Sequence, residues 1–313
     1  YKNLEIIILD DNSSDSTPDI IKEYATVDDR IKPIFHTKNH GPGNTRNEGL
    51  ELATGDYITF MDHDDWQDLT KYEKMMVKAE AHDADIVFCT AREYNESVGK
   101  SCSSCKLHRS LAGEEKLVLE PWCNRGLLFN CAVPPWAKIM RRRLITENSI
   151  MFSTGDNKSD DMLFHYHLML VANTVSSVNE ELYTHRFFPD SLSGGMREKG
   201  DVMIKDRLHT WADIENLCAK YNIPAKDVLA YFIKQFSIYS YRAYDSRPYI
   251  EQIQQIIARH GLEKADIAKG FSRYYNRIMG YWGGRKVAYR TQQFLKTKTR
   301  HMLGHKGRGT PNG

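Results

Sequence analysis

The sequence lacks long hydrophobic runs, and no part of its 313 residues approaches the roughly 18 consecutive apolar residues of a membrane-spanning helix. The visible N-terminus has no charged start followed by an apolar segment, so it shows no secretory signal. An internal repeat is also absent, which excludes solenoid and propeller folds. We therefore expect a chain that buries an ordinary core and has no membrane-spanning helix.

Cysteine is scarce, with six residues in the whole chain. Cys102 and Cys105 have the spacing of half a zinc site, but Cys123 and Cys131 lie too far apart to supply the second half. We predict free thiols, as in a reducing compartment, with a structural zinc site as the alternative.

Acidic residues are absent beyond Gly280, although the whole chain nearly balances 43 basic against 41 acidic residues. Within 285–303 the apolar residues recur at spacings that can share one helical face, and basic residues surround them. This pattern predicts a helix that lies on an anionic membrane, and a solvated basic end is the alternative. The apolar residues are Val287, Phe294, Leu295, Met302 and Leu303, and the basic residues are Arg285, Lys286, Arg290, Lys296, Lys298 and Arg300.

The most informative feature that is present is a group of carboxylates behind the strand-like run 57–61. Asp62, Asp64 and Asp65 follow this run directly. A strand that ends in acidic residues places them at the carboxyl edge of a sheet, where open α/β folds bind ligands. Carboxylate oxygens suit Mg²⁺ or Mn²⁺ and leave coordination positions for phosphate. We predict a metal-bound diphosphate here, and an acidic turn that caps a helix is the alternative.

A second acidic loop follows the apolar run 4–9. It begins with Asp10 and Asp11 and ends where Thr17 and Pro18 predict the start of a helix. The loop resembles a calcium-binding loop in its spacing, but the required glycine and the closing glutamate are missing. Two predicted strands thus end in carboxylates at the same kind of place.

Strand and helix patterns alternate over the first 200 residues in the manner of an α/β domain. Pro33 would remove a ladder donor from the second strand, so we expect that strand at a sheet edge. The predicted strands cover 4–9, 31–35, 57–61, 85–90, 174–178 and 182–187, and the predicted helices cover 18–25, 43–53, 68–82, 113–120 and 160–171.

Beyond Gly200 the chain has almost no strand signal. We predict an α/β domain over 1–200 and a separate helical region over 201–313 that carries the basic tail. The helices predicted there cover 201–220, 225–242, 246–259 and 262–279.

The motifs of the first half resemble, in order and spacing, those of the family-2 inverting glycosyltransferases of GT-A fold. A looser similarity to bacterial polysaccharide-type members extends to about residue 195. The resemblance implies an α/β fold with a Rossmann-like, mostly parallel sheet flanked by helices, followed by a C-terminal α-helical extension. The motifs are LDDNSSDST at 9–17, Gly41-x-Gly43-x-x-Arg46-Asn47, Asp62-x-Asp64-Asp65, Trp136-Ala137-Lys138-Ile139, Gly155 ahead of Asp160-Asp161, and Tyr183-x-x-Arg186.

Family members also carry a strand and a helix ahead of the LDDNSSDST strand, and this sequence shows neither before Leu4. We therefore expect an N-terminally incomplete domain whose nucleotide pocket lacks one wall.

The resemblance implies that both acidic loops hold a nucleotide-sugar donor. Asp11, with Asp10 beside it, would accept a hydrogen bond from the N3–H of a uracil-like base. Asp64 would bind the metal directly, while Asp62 would contact the ribose or a metal-bound water. Arg46, near a helix start, would face the nucleotide, with a surface ion pair as the alternative.

Inversion requires a carboxylate that takes the proton of the acceptor hydroxyl from the opposite face of the sugar. Asp161 is the predicted base, with Asp160 as its neighbour, and helix capping is the alternative role of this pair. Lys138 would support the donor or the acceptor. Arg186, ahead of the Gly-rich segment 191–195, would fold over the diphosphate, and an ordinary surface loop is the alternative.

The sequence thus predicts a metal-dependent transfer of sugar from a nucleotide diphosphate, UDP above all, to a glycan or lipid-linked acceptor. The expected location is the cytoplasm, at the inner face of the cell membrane, and the expected partners include an anionic membrane but no nucleic acid. Two alternatives stay open: a nucleotidyltransferase that makes the nucleotide sugar, and a non-enzymatic module that binds anionic surfaces. Three aromatic residues could stack on sugars or belong to the core: Trp122, Phe129 and Trp136.

Overall fold

The computed structural model contains a two-stranded sheet and a seven-stranded sheet, with helices packed around them. The predicted α/β class with a helical C-terminal part is confirmed. The predicted membrane helix at 285–303 and the Gly-rich segment 191–195 lie outside the described residues. The described residues are 1–105, 116–119, 126, 128–129, 131, 133–154, 160–188, 200–240, 247–267 and 270–280.

The two-stranded sheet is a parallel pair. Strand β1 (Ile6–Asp10) leads through helix α1 (Thr17–Val27) to strand β2 (Ile31–Phe35), and Ile8 pairs with Pro33. Because proline has no N–H to donate, β2 can pair fully on one side only. Among the described strands β2 pairs with β1 alone, which confirms its predicted edge position.

The seven-stranded sheet is mixed. Along it lie β3 (Tyr57–Ile58), β8 (Lys138–Arg141), β5 (Ile86–Asn95), β9 (Thr174–Phe187) and β4 (Trp66–Gln67), while β6 (Lys100–Cys105) pairs with β5 and β7 (Lys116–Val118) pairs with β9. Of the described pairings in this sheet, only β5 with β9 is parallel. The sheet predicted as mostly parallel is therefore corrected to a mixed one.

The first four residues of strand β5 are buried on both faces, as their continuous apolar sequence requires. Val87 and Cys89 pack under helix α3 (Lys71–His82), and Ile86 and Phe88 belong to the larger core on the opposite face. That larger core also includes side chains of three more helices. They are α2 (Pro42–Leu52), α4 (Arg142–Asn148) and α5 (Asp160–Val171), the last of which matches its prediction.

The C-terminal helices share this core instead of forming a separate arm. Tyr166 of α5 lies 5.4 Å, between ring centroids, from Phe232, which lies equally far from Trp211. The domain boundary predicted at 200 falls at the start of a helix, but buried side chains continue across it. The C-terminal helices are α6 (Gly200–Lys220), α7 (Ala225–Ser240), α8 (Arg247–Arg259) and α9 (Ser272–Met279).

Two predicted helices are wrong. Strand β7 occupies part of the predicted helix 113–120, because Leu117 is buried between two exposed neighbours while the strand pairs with β9. The predicted helix 262–279 is broken, because Glu263 and Asp266 form a capping box around a short 3₁₀ turn. In addition, the two strands predicted within 174–187 form one strand, which absorbs register shifts where it pairs with β5.

No described helix is both long enough and apolar enough to cross a membrane. Cys89 and Cys218 are buried free thiols, and Cys102 is an exposed free thiol. The prediction of free thiols is confirmed for these three.

Candidate active site

Helix α2 carries Arg46 into the site, and its first turn lies very close to the segment before α5. A Cβ atom on Gly43 would overlap the Ser153 carbonyl oxygen, so only glycine fits there. The Asn47 side chain donates to the Phe152 carbonyl oxygen at 3.0 Å and accepts the Phe152 N–H at 2.8 Å. These contacts fix the position and rotation of α2, and hence the direction of Arg46.

Arg46 joins three carboxylates from distant parts of the chain. Its Nη1 donates to Asp160 Oδ2 at 2.6 Å and to Asp161 Oδ1 at 3.2 Å, and its Nη2 donates to Asp62 Oδ1 at 3.0 Å. Its guanidinium also lies over the Phe152 ring, 5.5 Å from the centroid. The planar guanidinium suits such a cluster because it donates in several fixed directions. Four predicted site residues are thus brought together, with Arg46 as their centre.

Burial, together with the charges of this cluster, leaves Asp161 able to titrate near neutral pH. Burial raises the pKa of Asp161 to about 7; Arg46 opposes this shift, and the Asp160 and Asp62 carboxylates add to it. Burial alone lowers the pKa of Arg46, but the three carboxylates outweigh burial and raise it, so the guanidinium stays charged. A third of the Asp161 side chain is exposed, against 13% for Asp160. Asp161 is therefore the carboxylate of the pair that a ligand reaches more easily.

The acidic loop after β3 is held in place by Asp65 and Tyr183. The Tyr183 hydroxyl donates to Asp65 Oδ2 at 2.7 Å and accepts the Asp62 N–H at 3.2 Å. Asp65 Oδ1 accepts the Arg186 N–H at 2.8 Å. The Tyr183 ring stacks on Trp136 with centroids 4.3 Å apart. The end of β9 thus orients the backbone that carries Asp62 and Asp64.

The carboxylate oxygens of this loop suit a divalent cation. Asp64 is partly exposed, and within the described ranges no hydrogen bond holds its carboxylate. Asp62 uses one oxygen for Arg46. No cluster of three or more His, Cys, Asp or Glu in the described part of the chain forms a metal site by itself. A cation at Asp62 and Asp64 would therefore take its other ligands from a diphosphate and water, which suits Mg²⁺ or Mn²⁺.

The acidic loop after β1 is held more tightly. Asp11 Oδ1 accepts the His40 N–H and faces His36 Nδ1, and Oδ2 accepts the Gly41 N–H, each at 2.8 Å. The second ring nitrogen of His36 lies 2.8 Å from Glu48 Oε2. Burial alone raises the pKa of Asp11, but these hydrogen bonds outweigh burial and lower it. Both oxygens of Asp11 are thus occupied, and its contact with a base stays a prediction.

Asp10 differs from its neighbour. Its Oδ2 accepts the Ser13 N–H at 3.1 Å, while Oδ1 is buried and has no hydrogen-bond partner among the described residues. A buried acceptor without a partner is costly, and such atoms are usually satisfied by water or a ligand. Asp10 Oδ1 is therefore better placed than either oxygen of Asp11 to accept a donor group of a nucleotide.

Lys138 is held by backbone carbonyl groups. The residue is fully buried, and its Nζ donates to the carbonyl oxygens of Val133 and Pro134 at 2.9 and 2.8 Å. Its charge lowers the pKa of Asp161. The predicted contact of Lys138 with the donor or the acceptor stays a prediction. Trp136 and Phe129 are also buried in the core, and Trp122 lies outside the described residues.

Arg186 lies at the surface and is paired. Its Nη2 and Nε donate to the two carboxylate oxygens of Glu96 at 2.7 and 3.1 Å. Asp64 lies near enough to raise the pKa of Arg186 further, after the larger effect of Glu96. The predicted contact of Arg186 with a diphosphate stays a prediction.

Sequence reasoning assigned no role to His36, Asn47 or Asp65, and it quoted Tyr183 only as part of a motif. Asn47 and Tyr183 act through contacts with residues more than 100 positions away, which no local pattern shows. The signal that was available is position: each lies within or beside a motif that also contains a predicted site residue.

The chain is similar to known glycosyltransferases. Residues 1–106 match the family model described as glycosyl transferase family 2. The putative glycosyltransferase EpsH of Bacillus subtilis (strain 168) is 32% identical over 196 residues, which cover 61% of this chain and 54% of EpsH. The uncharacterized glycosyltransferase YibD of Escherichia coli (strain K12) is 27% identical over 310 residues, 96% of this chain and 88% of YibD. The chain thus spans about half the length of EpsH and most of YibD.

A solved structure shows the same fold. TarS 1-349 of S. aureus, crystallised in complex with UDP-GlcNAc, has a TM-score of 0.66 and 18% sequence identity, and the match covers 92% of this chain and 83% of that one. At this identity the likeness concerns the fold alone. Residues 1–106 thus match the glycosyl transferase family 2 model, and the chain as a whole is similar to glycosyltransferases in sequence and to TarS in fold.

Proposed function

We propose that the protein is an inverting glycosyltransferase that moves a sugar from a UDP-linked donor to a glycan or lipid-linked acceptor. The observation that carries this proposal is the cluster in which Arg46 holds Asp62 beside a pair of carboxylates. Within that cluster Asp161 has a pKa raised to about 7 and remains partly exposed. A general base is most effective when its pKa lies near the working pH.

Asp161 acts as the base in this proposal. Its ionised carboxylate accepts the proton of the acceptor hydroxyl while the hydroxyl oxygen forms a bond to the anomeric carbon. The bond from that carbon to the diphosphate oxygen breaks on the opposite face, so the configuration inverts and the nucleoside diphosphate leaves. Arg46 orients Asp161 and Asp160 and stabilises their charge between turnovers.

The donor binds along the two acidic loops. Asp10 Oδ1 supports this placement, because it is a buried acceptor that a nucleotide N–H or O–H can satisfy. UDP is the proposed nucleotide since TarS, which shares the fold, was crystallised with UDP-GlcNAc. Asp62 and Asp64 would hold Mn²⁺ or Mg²⁺, which, when bound, neutralises negative charge on the leaving diphosphate.

Thermal unfolding with nucleoside diphosphates tests the donor and the metal together. UDP with Mn²⁺ should raise the unfolding temperature more than GDP, CDP or dTDP, because a ligand that binds only the native state stabilises it. Equal shifts for all four nucleotides, or shifts that ignore Mn²⁺, would contradict the proposal. The control variant Asp19→Asn, which removes an exposed carboxylate on α1, should show the same shifts as the parent.

Turnover tests the reaction itself. Release of UDP from a panel of UDP-sugars, with water as acceptor, should depend on Mn²⁺ or Mg²⁺. NMR of the first-formed sugar should show the anomeric configuration opposite to that of the donor. Retained configuration would reject the inverting mechanism.

A further inference from the structure

Trp66 is an exposed aromatic residue that directly follows the acidic loop. Trp66 is 45% exposed. Its ring centroid lies 5.7 Å from that of Tyr94, and the two rings are tilted by 59°. Tyr94 thus holds one side of the indole while much of the remainder faces solvent. Large aromatic rings held in this way are typical of binding surfaces, because they bring contact area with little loss of conformational freedom.

Polar side chains border this aromatic pair. Trp66 pairs across β4 and β9 with Thr184, and Tyr94 pairs across β5 and β9 with Arg186. Since paired residues share a face and side chains alternate along a strand, all four lie on the same face of the sheet. The bidentate Arg186–Glu96 ion pair, at 2.7 and 3.1 Å, therefore stands beside the rings.

The same contacts tie this surface to the proposed donor site. Asp65, which accepts the Arg186 N–H, is the residue immediately before Trp66. The four steps from Asp62 to Trp66 can span at most about 14 Å of extended chain. The aromatic pair is therefore both fixed relative to the acidic loop and close to it.

We infer that Trp66, Tyr94, Arg186 and Glu96 form an acceptor subsite that binds a pyranose ring of a glycan. The apolar C–H face of a pyranose stacks on the indole, and its hydroxyl groups exchange hydrogen bonds with the ion pair. An anionic membrane fits less well, because Asp64 and the exposed Asp68 lie two residues on either side of Trp66, and Glu96 pairs with Arg186. The inference deepens the proposed function and rests on it.

Binding to an array of immobilised pyranose oligosaccharides, in the presence of UDP and Mn²⁺, tests this subsite. Trp66→Ala should weaken binding to the recognised glycans by about tenfold or more, whereas Trp66→Phe, which keeps a ring, should stay within about threefold. Tyr24→Ala is the matched control, since Tyr24 is a 59% exposed aromatic residue on α1. Calorimetry with UDP and Mn²⁺ should give parental affinity for all three variants.

Four results would overturn the inference. The first is equal glycan binding by Trp66→Ala and the parent, and the second is a parent that binds UDP but no glycan on the array. The third is a Trp66→Ala variant that loses UDP affinity, which would make Trp66 a structural residue. The fourth is binding to phosphatidylglycerol vesicles that Trp66→Ala abolishes, which would assign the surface to lipid. A parent that binds no nucleotide would instead overturn the proposed function.

Discussion

The two acidic loops look alike in sequence, but the structure uses their carboxylates differently. In the first loop, after β1, both oxygens of Asp11 are occupied by two backbone N–H groups and His36. In the second, after β3, Asp64 makes no hydrogen bond to the described residues and Asp62 shares Arg46 with the acidic pair of α5. An acidic motif at a strand end therefore does not by itself indicate a ligand. In the first loop Asp11 shapes the site, whereas in the second loop the carboxylates of Asp62 and Asp64 are available to a ligand.

The largest expected effect concerns Asp161, which Arg46 links to Asp62 of the second loop. Asp161→Asn keeps the shape of the side chain but cannot accept a proton, so turnover should fall by on the order of 10² or more while UDP affinity changes little. The measurement is UDP release from the preferred UDP-sugar. If Asp160→Asn is inactive and Asp161→Asn is active, the base is the other member of the pair.

The pH dependence of turnover should identify the same carboxylate. Because the pKa of Asp161 is raised to about 7, kcat/KM should increase as the pH rises through about 7. The free energy of unfolding should instead decrease as the pH rises. The raised pKa of Asp161 contributes stability that is fully present below the ordinary pKa of an aspartate and is lost as the pH rises through about 7. Denaturant melts of the parent and Asp161→Asn between pH 4 and pH 8 would check this. A parent that gains stability relative to the variant with rising pH would contradict it.

The next effect separates the loops by ligand binding. Asp64→Asn should remove the Mn²⁺-dependent part of UDP affinity and leave the unfolding temperature unchanged, because its carboxylate has no hydrogen-bond partner among the described residues. Asp15→Asn is the control in the first loop, where Asp15 accepts the Thr17 N–H. Calorimetry of UDP binding with and without Mn²⁺ measures this difference in both variants. Equal Mn²⁺-linked affinity in Asp64→Asn and the parent would remove Asp64 from the metal site.

The reverse pattern is expected for the first loop. Asp11→Ala leaves two backbone N–H groups without their acceptor and should lower the free energy of unfolding by about 2 kcal/mol. The loss of stability in Asp11→Ala should be smaller at high pH. The hydrogen bond with Asp11 raises the pKa of His36. The stability that comes from this raised pKa is fully present below the ordinary histidine pKa and is lost as the pH rises through the raised pKa. Urea melts at pH 6 and pH 9 measure both. A variant as stable as the parent at pH 6 would show that Asp11 is not structural.

The smallest effect concerns the support of the second loop. Tyr183→Phe removes the hydroxyl shared by Asp65 and the Asp62 backbone and should cost about 1–2 kcal/mol of unfolding free energy. The Mn²⁺-linked UDP affinity should fall less than in Asp64→Asn, because the carboxylates themselves remain. Trp136→Phe tests the stacking of Tyr183 separately. A larger loss of affinity than of stability in Tyr183→Phe would show that the hydroxyl takes part in binding.

Sequence reasoning singled out the carboxylates of both loops because each loop follows a predicted strand, although β3 ends at Ile58 and three residues separate it from Asp62. It could not find the arrangement around Arg46, since Asp62 and Asp160 reach one guanidinium from distant positions in the chain. It also could not find the contacts of Lys138 with backbone carbonyl oxygens, because an ammonium group in a motif looks the same in sequence whether it faces a ligand or buried carbonyl oxygens. The metal, the donor and the role of Arg186 remain predictions.

The start of helix α1 was predictable because Thr17 and Pro18 mark it. The mixed sheet was not, since β3 and β4 are too short to show any period. Strand β6 is defined by its pairing with β5 across a short turn at Gly99. Strand β7 is defined by its pairing with β9, which lies far along the chain. Tertiary pairing, which no local pattern contains, decided these elements.

The core that runs from the sheet into the C-terminal helices limits how specificity can be exchanged between relatives. A chimera joined at Gly200 would bring foreign side chains against Tyr166, whose ring packs on Phe129 and Phe232. A mismatch there would leave a void or a clash behind α5, the helix that begins with Asp160 and Asp161. Grafts of the C-terminal helices in this protein would therefore have to carry the buried residues of α6 and α7 together with their partners on α5.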